Sequence, residues 1–420
     1  MSTTNNNSVE QAKGPAFEWW MVSNLAIGAG FSAFVALLIP PFVTGETGNA
    51  ADAGIVMAII SLAAVLGPVL GGFADKYRAH RLVVSLGVLG MALAFAMYAI
   101  SAEAKAILAL DAILMGVSIA AVSAVAPVFI VGANLPKALE AKRLTTFNLI
   151  APVGQVLGGA LLGAAAAGGG SFVQGFWLAA VVMFLAFLIT WFSSKKPAER
   201  IQLLESAPAD DEEKKKSIGL GKVLFSMFGM YLLILTLSSL ANNGLNNQIA
   251  NILPNVFGVD QATVSGLISL AGLLNIAFLL AAGVWMGRKG PMPVFVTGNV
   301  FRLVGGLGLA ILGMAAKSPL LIVAAFMQLF YQGNPLVRLT QPALAVRFAT
   351  IPAGAASGWV IAASAMGSFL GSLLGGYLAD SIGFNAVNWM AAIAAGLAVL
   401  LIVVSLLPAY RKLQPEEAPA

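Results

Sequence analysis

Arg302, Arg338 and Asp111 each fall inside a long apolar run, where an ionisable side chain is costly and its presence calls for a reason. If the run around Arg302 starts near Pro293, its guanidinium lies about 14 Å along a helix, near the middle of a ~30 Å hydrocarbon core. No acidic residue lies at that depth in the second half of the chain. Arg302 must then face Asn or Gln groups, backbone carbonyls, water or an anionic solute. A structural tie between helices and a substrate contact are both open. Arg338 falls about 28 Å along a run starting near Pro319, at its far boundary. It suits an interfacial anchor. Flanked by Asn334-Pro335 and Gln341-Pro342, it also suits a distorted helix beside a binding site. Asp111 lies about 6 Å, roughly one turn, below the opposite face, where it could carry a proton or cap a solvated entrance.

A second chemical feature is a run of amides and hydroxyls: Ser238, Ser239, Asn242, Asn243, Asn246, Asn247, Gln248 and Asn251. Residues 239, 243, 246 and 247 share one helical face, and so many amides would not face lipid. Asn24, Gln155, Gln328, Tyr331, Gln332 and Asn334 are further polar residues in apolar runs. A cavity of amides and a rare arginine suits a small polar or anionic solute. A cationic drug would want an acid at mid-depth, and none is there.

The elements that must position these residues follow from composition. Of 420 residues, 59% are hydrophobic and 10% charged, against about 25% charged in a soluble domain. Hydrocarbon leaves the backbone only helices or a closed barrel. Barrel strands alternate apolar and polar residues over roughly 10 positions. Here the apolar runs are continuous and about 20 residues long, the helical length for a bilayer. The sequence therefore predicts twelve spans, near 19–43, 53–74, 82–100, 107–132, 144–167, 174–192, 222–250, 261–286, 293–316, 319–345, 355–378 and 386–407.

Basic residues set the orientation. One set of loops and tails holds nineteen of the 23 Lys and Arg residues, and the other holds only Lys105 and Lys317. The remaining two are Arg302 and Arg338. Both termini are therefore expected in the cytoplasm of a plasma or inner membrane, and the net charge of +5 reflects topology, not nucleic-acid binding. The polar first 16 residues lack the order of a cleaved signal, so the first helix is expected to stay. The polar segment 193–221, with Asp210, Asp211, Glu212, Glu213 and Lys214–Lys216, reads as a solvated linker. It separates a bundle at 19–192 from one at 222–407, with tails at 1–18 and 408–420.

The halves look like copies. Gly283, Gly287 and Gly290 stand 212 positions after Gly71, Asp75 and Arg78. Gly367 and Gly371 stand 213 positions after Gly154 and Gly158. Glycines four apart share a helical face and suit close packing between helices.

With these features the chain resembles the major facilitator superfamily over essentially its whole length. The superfamily's loop signature is Gly-x-x-x-Asp-basic-x-Gly-basic-basic. Gly71, Asp75 and Lys76 match it, while Arg78 and Ala79 replace a glycine and a basic residue. The second copy has Gly283, Arg288 and Gly290, with Gly287 in place of the acid. The resemblance implies an all-α membrane fold of two pseudo-symmetric six-helix bundles that rock about a central cavity lined by the first and seventh helices. It makes the seventh-span amides candidates for solute or outer-gate contacts. Asp75 would pair with Lys76, Arg78, Arg81 or a helix N-terminus to close the cytoplasmic side, or these charges would merely enforce topology. The missing second acid implies asymmetric gating.

The expected function is a permease, secondary active or facilitative, working by alternating access. Its solute-binding candidates are Asn24, Ser239, Asn243, Asn246, Asn247, Arg302, Gln328, Gln332, Asn334 and Arg338, with Asp111 the proton-coupling candidate. Two alternatives stand beside it: a proton-coupled drug antiporter relying on Asp111, and a non-transporting assembly factor or receptor on the same fold. One histidine and no cysteine argue against a catalytic metal. No nucleophile–base pair or phosphate loop suggests an enzyme, and no cofactor is expected. The expected partners are a small solute and the bilayer, and the expected state is a monomer.

Overall fold

A backbone in hydrocarbon must satisfy every N–H and C=O internally, and this chain does so with helices. The structure, a computed structural model, describes residues 14–100, 105–133, 135–204, 225–315, 317–349, 351 and 353–412. Among them twelve helices are long and apolar enough to span a bilayer, as expected. They are α1 (Trp19–Thr47), α2 (Ala50–Lys76), α3 (His80–Ile100), α4 (Ile107–Val131), α5 (Ala138–Ala167) and α6 (Phe172–Ser193). The later six are α7 (Met227–Asn246), α8 (Gln261–Lys289), α9 (Pro291–Leu312), α10 (Leu320–Phe348), α11 (Ala356–Ser381) and α12 (Asn385–Lys412). Large apolar side chains such as Val181, Leu185, Val284, Ile393 and Val404 are exposed on them, a surface suited to lipid.

Local sequence explains the irregularities. Gly28–Val35 of α1 is wound as a π-helix and Ala64–Leu66 of α2 as a 3₁₀ turn just before Gly67-Pro68. Pro335 and Pro342 interrupt α10, each removing one backbone donor. Within the predicted linker, Lys195–Leu204 is helical and buries Pro197, Ala198 and Ile201. The acidic and basic runs at 210–216 lie outside the described residues. The predicted seventh span ends early: Asn247 caps α7, and a short helix follows at Ile249–Phe257.

The described residues fall into two compact units. Unit 1 draws on Met1–Val35 and Ala63–Lys215, and unit 2 on Ala36–Leu62 and Lys216–Ala420. In unit 1, a Cβ on Gly154 would run into the Leu25 carbonyl of α1, and one on Gly158 would meet Ala29 and Ala33. In unit 2, a Cβ on Gly367 would run into the Thr236 carbonyl of α7, and one on Gly371 would hit that of Leu240. Thr236 and Leu240 lie 211 positions after Leu25 and Ala29 (236 − 25 and 240 − 29), so the glycine repeat is repeated in its packing.

Candidate functional site

Most of the predicted solute residues lie in unit 2, where polar side chains converge between apolar helices. Arg302 on α9 is 2% exposed. One terminal nitrogen donates to the Ser238 carbonyl at 3.0 Å and to the Ser238 hydroxyl of α7. The other donates to Asn334 Oδ1 of α10 at 3.3 Å. Ser238 in turn donates to Asn299 Oδ1 at 2.5 Å, and Asn299 donates to the Phe295 carbonyl at 2.9 Å. Gly333 makes room for this side chain, since a Cβ there would come 2.7 Å from Arg302 Cγ. The fork of Arg302 thus ties three helices together, and its Nε is buried without a partner.

The seventh-span amides divide into two groups. Asn243 donates to Ser368 at 2.7 Å and Asn247 to Ser372 at 2.6 Å, so both fasten α7 to α11. Ser239 lies on the same face, beside Gly367. Asn242 and Asn246 each keep a buried Oδ1 with no hydrogen-bond partner among the described residues. On α10, Gln328 donates to the Leu267 carbonyl at 2.8 Å and Gln332 to that of Ala271 at 3.4 Å. Both leave a buried Oε1 unpartnered. Arg338 differs from Arg302: it is exposed and makes no hydrogen bond or ion pair with a described residue.

Unit 2 also gathers the far ends of the first two spans. Asn251 donates to Thr44 Oγ1 at 3.1 Å, and Gln261 donates to the Leu37 carbonyl at 3.1 Å. A Cβ on Gly54 would lie 2.6 Å from the Gly376 Cα, so α2 and α11 touch backbone to backbone.

In unit 1, Asn24 donates to the Phe147 carbonyl at 2.6 Å, joining α1 to α5. Asp111 is 0% exposed and neither carboxyl oxygen has a partner among the described residues. It lies on the buried seam Asp111, Met115, Ser118, Val122 and Val125 of α4, near the fully buried Tyr98 of α3. Tyr98 stacks on Phe176 at 5.4 Å and its hydroxyl is also unpartnered. Asp111 is thus enclosed by protein rather than capping a wet entrance.

Asp75 lies 2.8 Å from His80 Nε2, the first residue of α3, not on its basic neighbours. Arg81 donates to the Trp191 carbonyl at 3.0 and 3.2 Å and lies 4.4 Å above its ring. Lys76 sits 5.3 Å from the Tyr77 ring, and Arg78 adopts a φ of 51°. Gly71 and Gly283 have open space where a Cβ would go, Gly290 has a φ of 78°, and Arg288 is exposed.

Glu18 stands beside Trp19 and Trp20, a setting that by sequence alone reads as an interfacial anchor, and the structure places it at the centre of a polar cluster. Glu18 accepts from Arg143 at 2.7 Å, Arg200 at 2.9 Å and Trp20 Nε1 at 2.7 Å. It ties α1 to α5 and to the helix at Lys195–Leu204.

Comparison with known proteins agrees with this architecture. The pattern of the family described as Major Facilitator Superfamily matches residues 20–350 and 223–420. No curated protein matches the sequence. Among solved structures, the nucleoside transporter NupG is 15% identical with a TM-score of 0.69, covering 94% of this chain and 98% of that one. A mutant of the peptide transporter POT in complex with alafosfalin is 14% identical with a TM-score of 0.70, covering 94% and 95%.

Proposed function

The chain belongs to the Major Facilitator Superfamily, and from that premise we propose that it carries a small polar or anionic solute across a membrane by alternating access. One observation carries the reading. Residues 36–62, from the first two spans, cluster with the second half of the sequence through Asn251–Thr44, Gln261–Leu37 and the Gly54–Gly376 approach. Hydrogen bonds between membrane helices average about 0.6 kcal/mol. Bonds of this strength can release and re-form within a transport cycle. The unpartnered oxygens of Asn242, Asn246, Gln328 and Gln332 supply polar groups for a solute. Nucleosides and peptides, the solutes named for the two structural neighbours, are polar and make sensible first candidates.

The absence of cysteine gives a clean test. Thr44→Cys with Asn251→Cys is cross-linked in full-length protein reconstituted into vesicles, and uptake of nucleosides, dipeptides and organic acids is followed. Cross-linking should stop uptake and reduction should restore it. Full transport by the cross-linked protein removes this gate. Vesicles that move no solute favour the non-transporting alternative. The bias of basic residues supports a plasma or inner membrane with both ends cytoplasmic.

A second reading, proton coupling, is favoured by Asp111. Its carboxyl is buried within a span and neither oxygen has a partner among the described residues, and an ionisable group so placed is a candidate for carrying a proton. A drug antiporter would couple through the same group. Asp111→Asn should abolish proton-driven accumulation while leaving exchange intact. Coupling retained in full takes Asp111 out of the mechanism.

A further inference from the structure

We propose that Arg338, with Asn334 and Tyr331 on the same face of α10, is the site that receives the negative charge of an anionic solute. This inference rests on the permease reading and names the substrate class within it. Its starting point is the contrast between the two arginines inside spans. Arg302 is 2% exposed and spends its fork on Ser238 and Asn334. Arg338 is exposed and has no hydrogen bond or ion pair with any described residue.

Depth makes that freedom informative. Arg338 lies ten residues before the end of α10 at Phe348, about 15 Å. A helix of 29 residues is about 43 Å long and, centred on a ~30 Å core, would overhang it by some 6 Å at each end. Arg338 thus falls within the hydrocarbon thickness rather than at its rim. A guanidinium exposed to lipid at that level is strongly disfavoured. The face that carries it must open onto water.

The neighbouring groups share its character. Residues 331, 334 and 338 are spaced i, i+3, i+7 and lie on one side of the helix. Exposure rises along that side: Tyr331 is 6% exposed, Asn334 is half-buried, and Arg338 and Pro342 are exposed. The oxygen of Asn334 is taken by Arg302, which leaves its NH2 group as a donor. The Tyr331 hydroxyl has no partner among the described residues and can donate as well. Among the described residues no carboxylate pairs with any of the three. A guanidinium, an amide NH2 and a phenol without an acid form a donor set, and its complement is a pair of anionic oxygens, as in a carboxylate or phosphate. Arg302 then acts as a positioning residue, turning the Asn334 amide so that its donors remain free.

The test uses full-length protein in detergent at constant ionic strength. Thermal unfolding is followed with increasing benzoate, inorganic phosphate and, as a neutral match, benzamide. At least one anion should stabilise the wild type, and benzamide should not. Arg338→Gln should weaken the anion response at least tenfold, Arg338→Lys should keep part of it, and Lys289→Gln, a remote exposed charge, should keep all of it. A benzoate-only or phosphate-only response identifies the anion. No anion response in the wild type, or equal responses in Arg338→Gln and Lys289→Gln, overturns the proposal. Vesicles that transport a neutral solute equally with and without Arg338 sink this inference and leave the permease standing. Vesicles that transport nothing sink the permease and leave the anion site measured in detergent.

Discussion

Arg302 of α9 donates to Asn334 Oδ1 of α10 at 3.3 Å while its other terminal nitrogen holds Ser238 of α7. One planar fork bridges two helices from a third with donors on two separate nitrogens, a reach that a compact ammonium lacks. Arg302→Ala would leave Ser238 and Asn334 short of partners and open a cavity, at a cost of about 2–4 kcal/mol. Arg302→Lys should fall between the alanine variant and the wild type. Thermal unfolding in detergent checks the order, and two variants as stable as the parent would contradict it.

Gly371 and Gly283 look alike in sequence and differ in surroundings. A Cβ on Gly371 would run into the Leu240 carbonyl, whereas Gly283 has nothing within 4 Å. Gly371→Ala should force α7 and α11 apart and cost about 1–3 kcal/mol. Gly283→Ala adds a methyl to an open helix face and should be neutral or stabilise by about 0.5–1 kcal/mol. Equal melting temperatures for the two variants would show that this backbone approach is not limiting.

How far these features were legible in the sequence depends on where their partners lie. The spans could be read because a hydrocarbon-length apolar run is a local property, and the twelve helices agree with it. The glycine repeat was legible too, because spacing on one helix is enough to show a small-residue face. What that face meets was not: the Leu25 and Thr236 carbonyls come from other helices. Asn243 and Asn247 could be placed on one side of α7, but nothing local says that Ser368 and Ser372 wait opposite. The depth of Arg302 could be counted, yet its partner Ser238 lies 64 positions away. Glu18 read as an anchor because its neighbours in sequence are tryptophans, while Arg200 is 182 positions away.

Asp260 caps α8, accepting from the Thr263 N–H at 2.9 Å and from the Thr263 hydroxyl at 2.6 Å. The Thr263 side chain, then its backbone N–H, hold this carboxyl below the ordinary carboxylate range. A value lower in the folded than in the unfolded chain, where it is about 3.9, stabilises the fold above that pH. The contribution fades as pH falls through the folded value. Asp260→Asn keeps a capping oxygen but cannot ionise. The melting-temperature gap between the two proteins should therefore be present at neutral pH and close below about pH 4. A gap that stays constant from pH 7 to pH 3.5 would rule out this role for the carboxylate.

Glu18 offers the sharpest separation of a buried from an exposed ion pair in one cluster. Its partner Arg143 has a side chain 5% exposed, and Arg200 one 39% exposed. Arg143 also donates to the Pro15 carbonyl at 3.2 Å, so it fixes the segment leading into α1. Glu18→Gln keeps an acceptor but leaves both guanidinium groups without a counter-charge, at a cost of about 1–3 kcal/mol. Arg200→Gln should cost under about 1 kcal/mol, because water and salt already screen that pair. A double-mutant cycle should give Glu18 a stronger coupling to Arg143 than to Arg200. Raising the salt concentration should erase the Arg200 coupling first, since ions reach the exposed guanidinium and not the enclosed one. Equal couplings, fading together with salt, would mean that burial does not set the strength of this cluster.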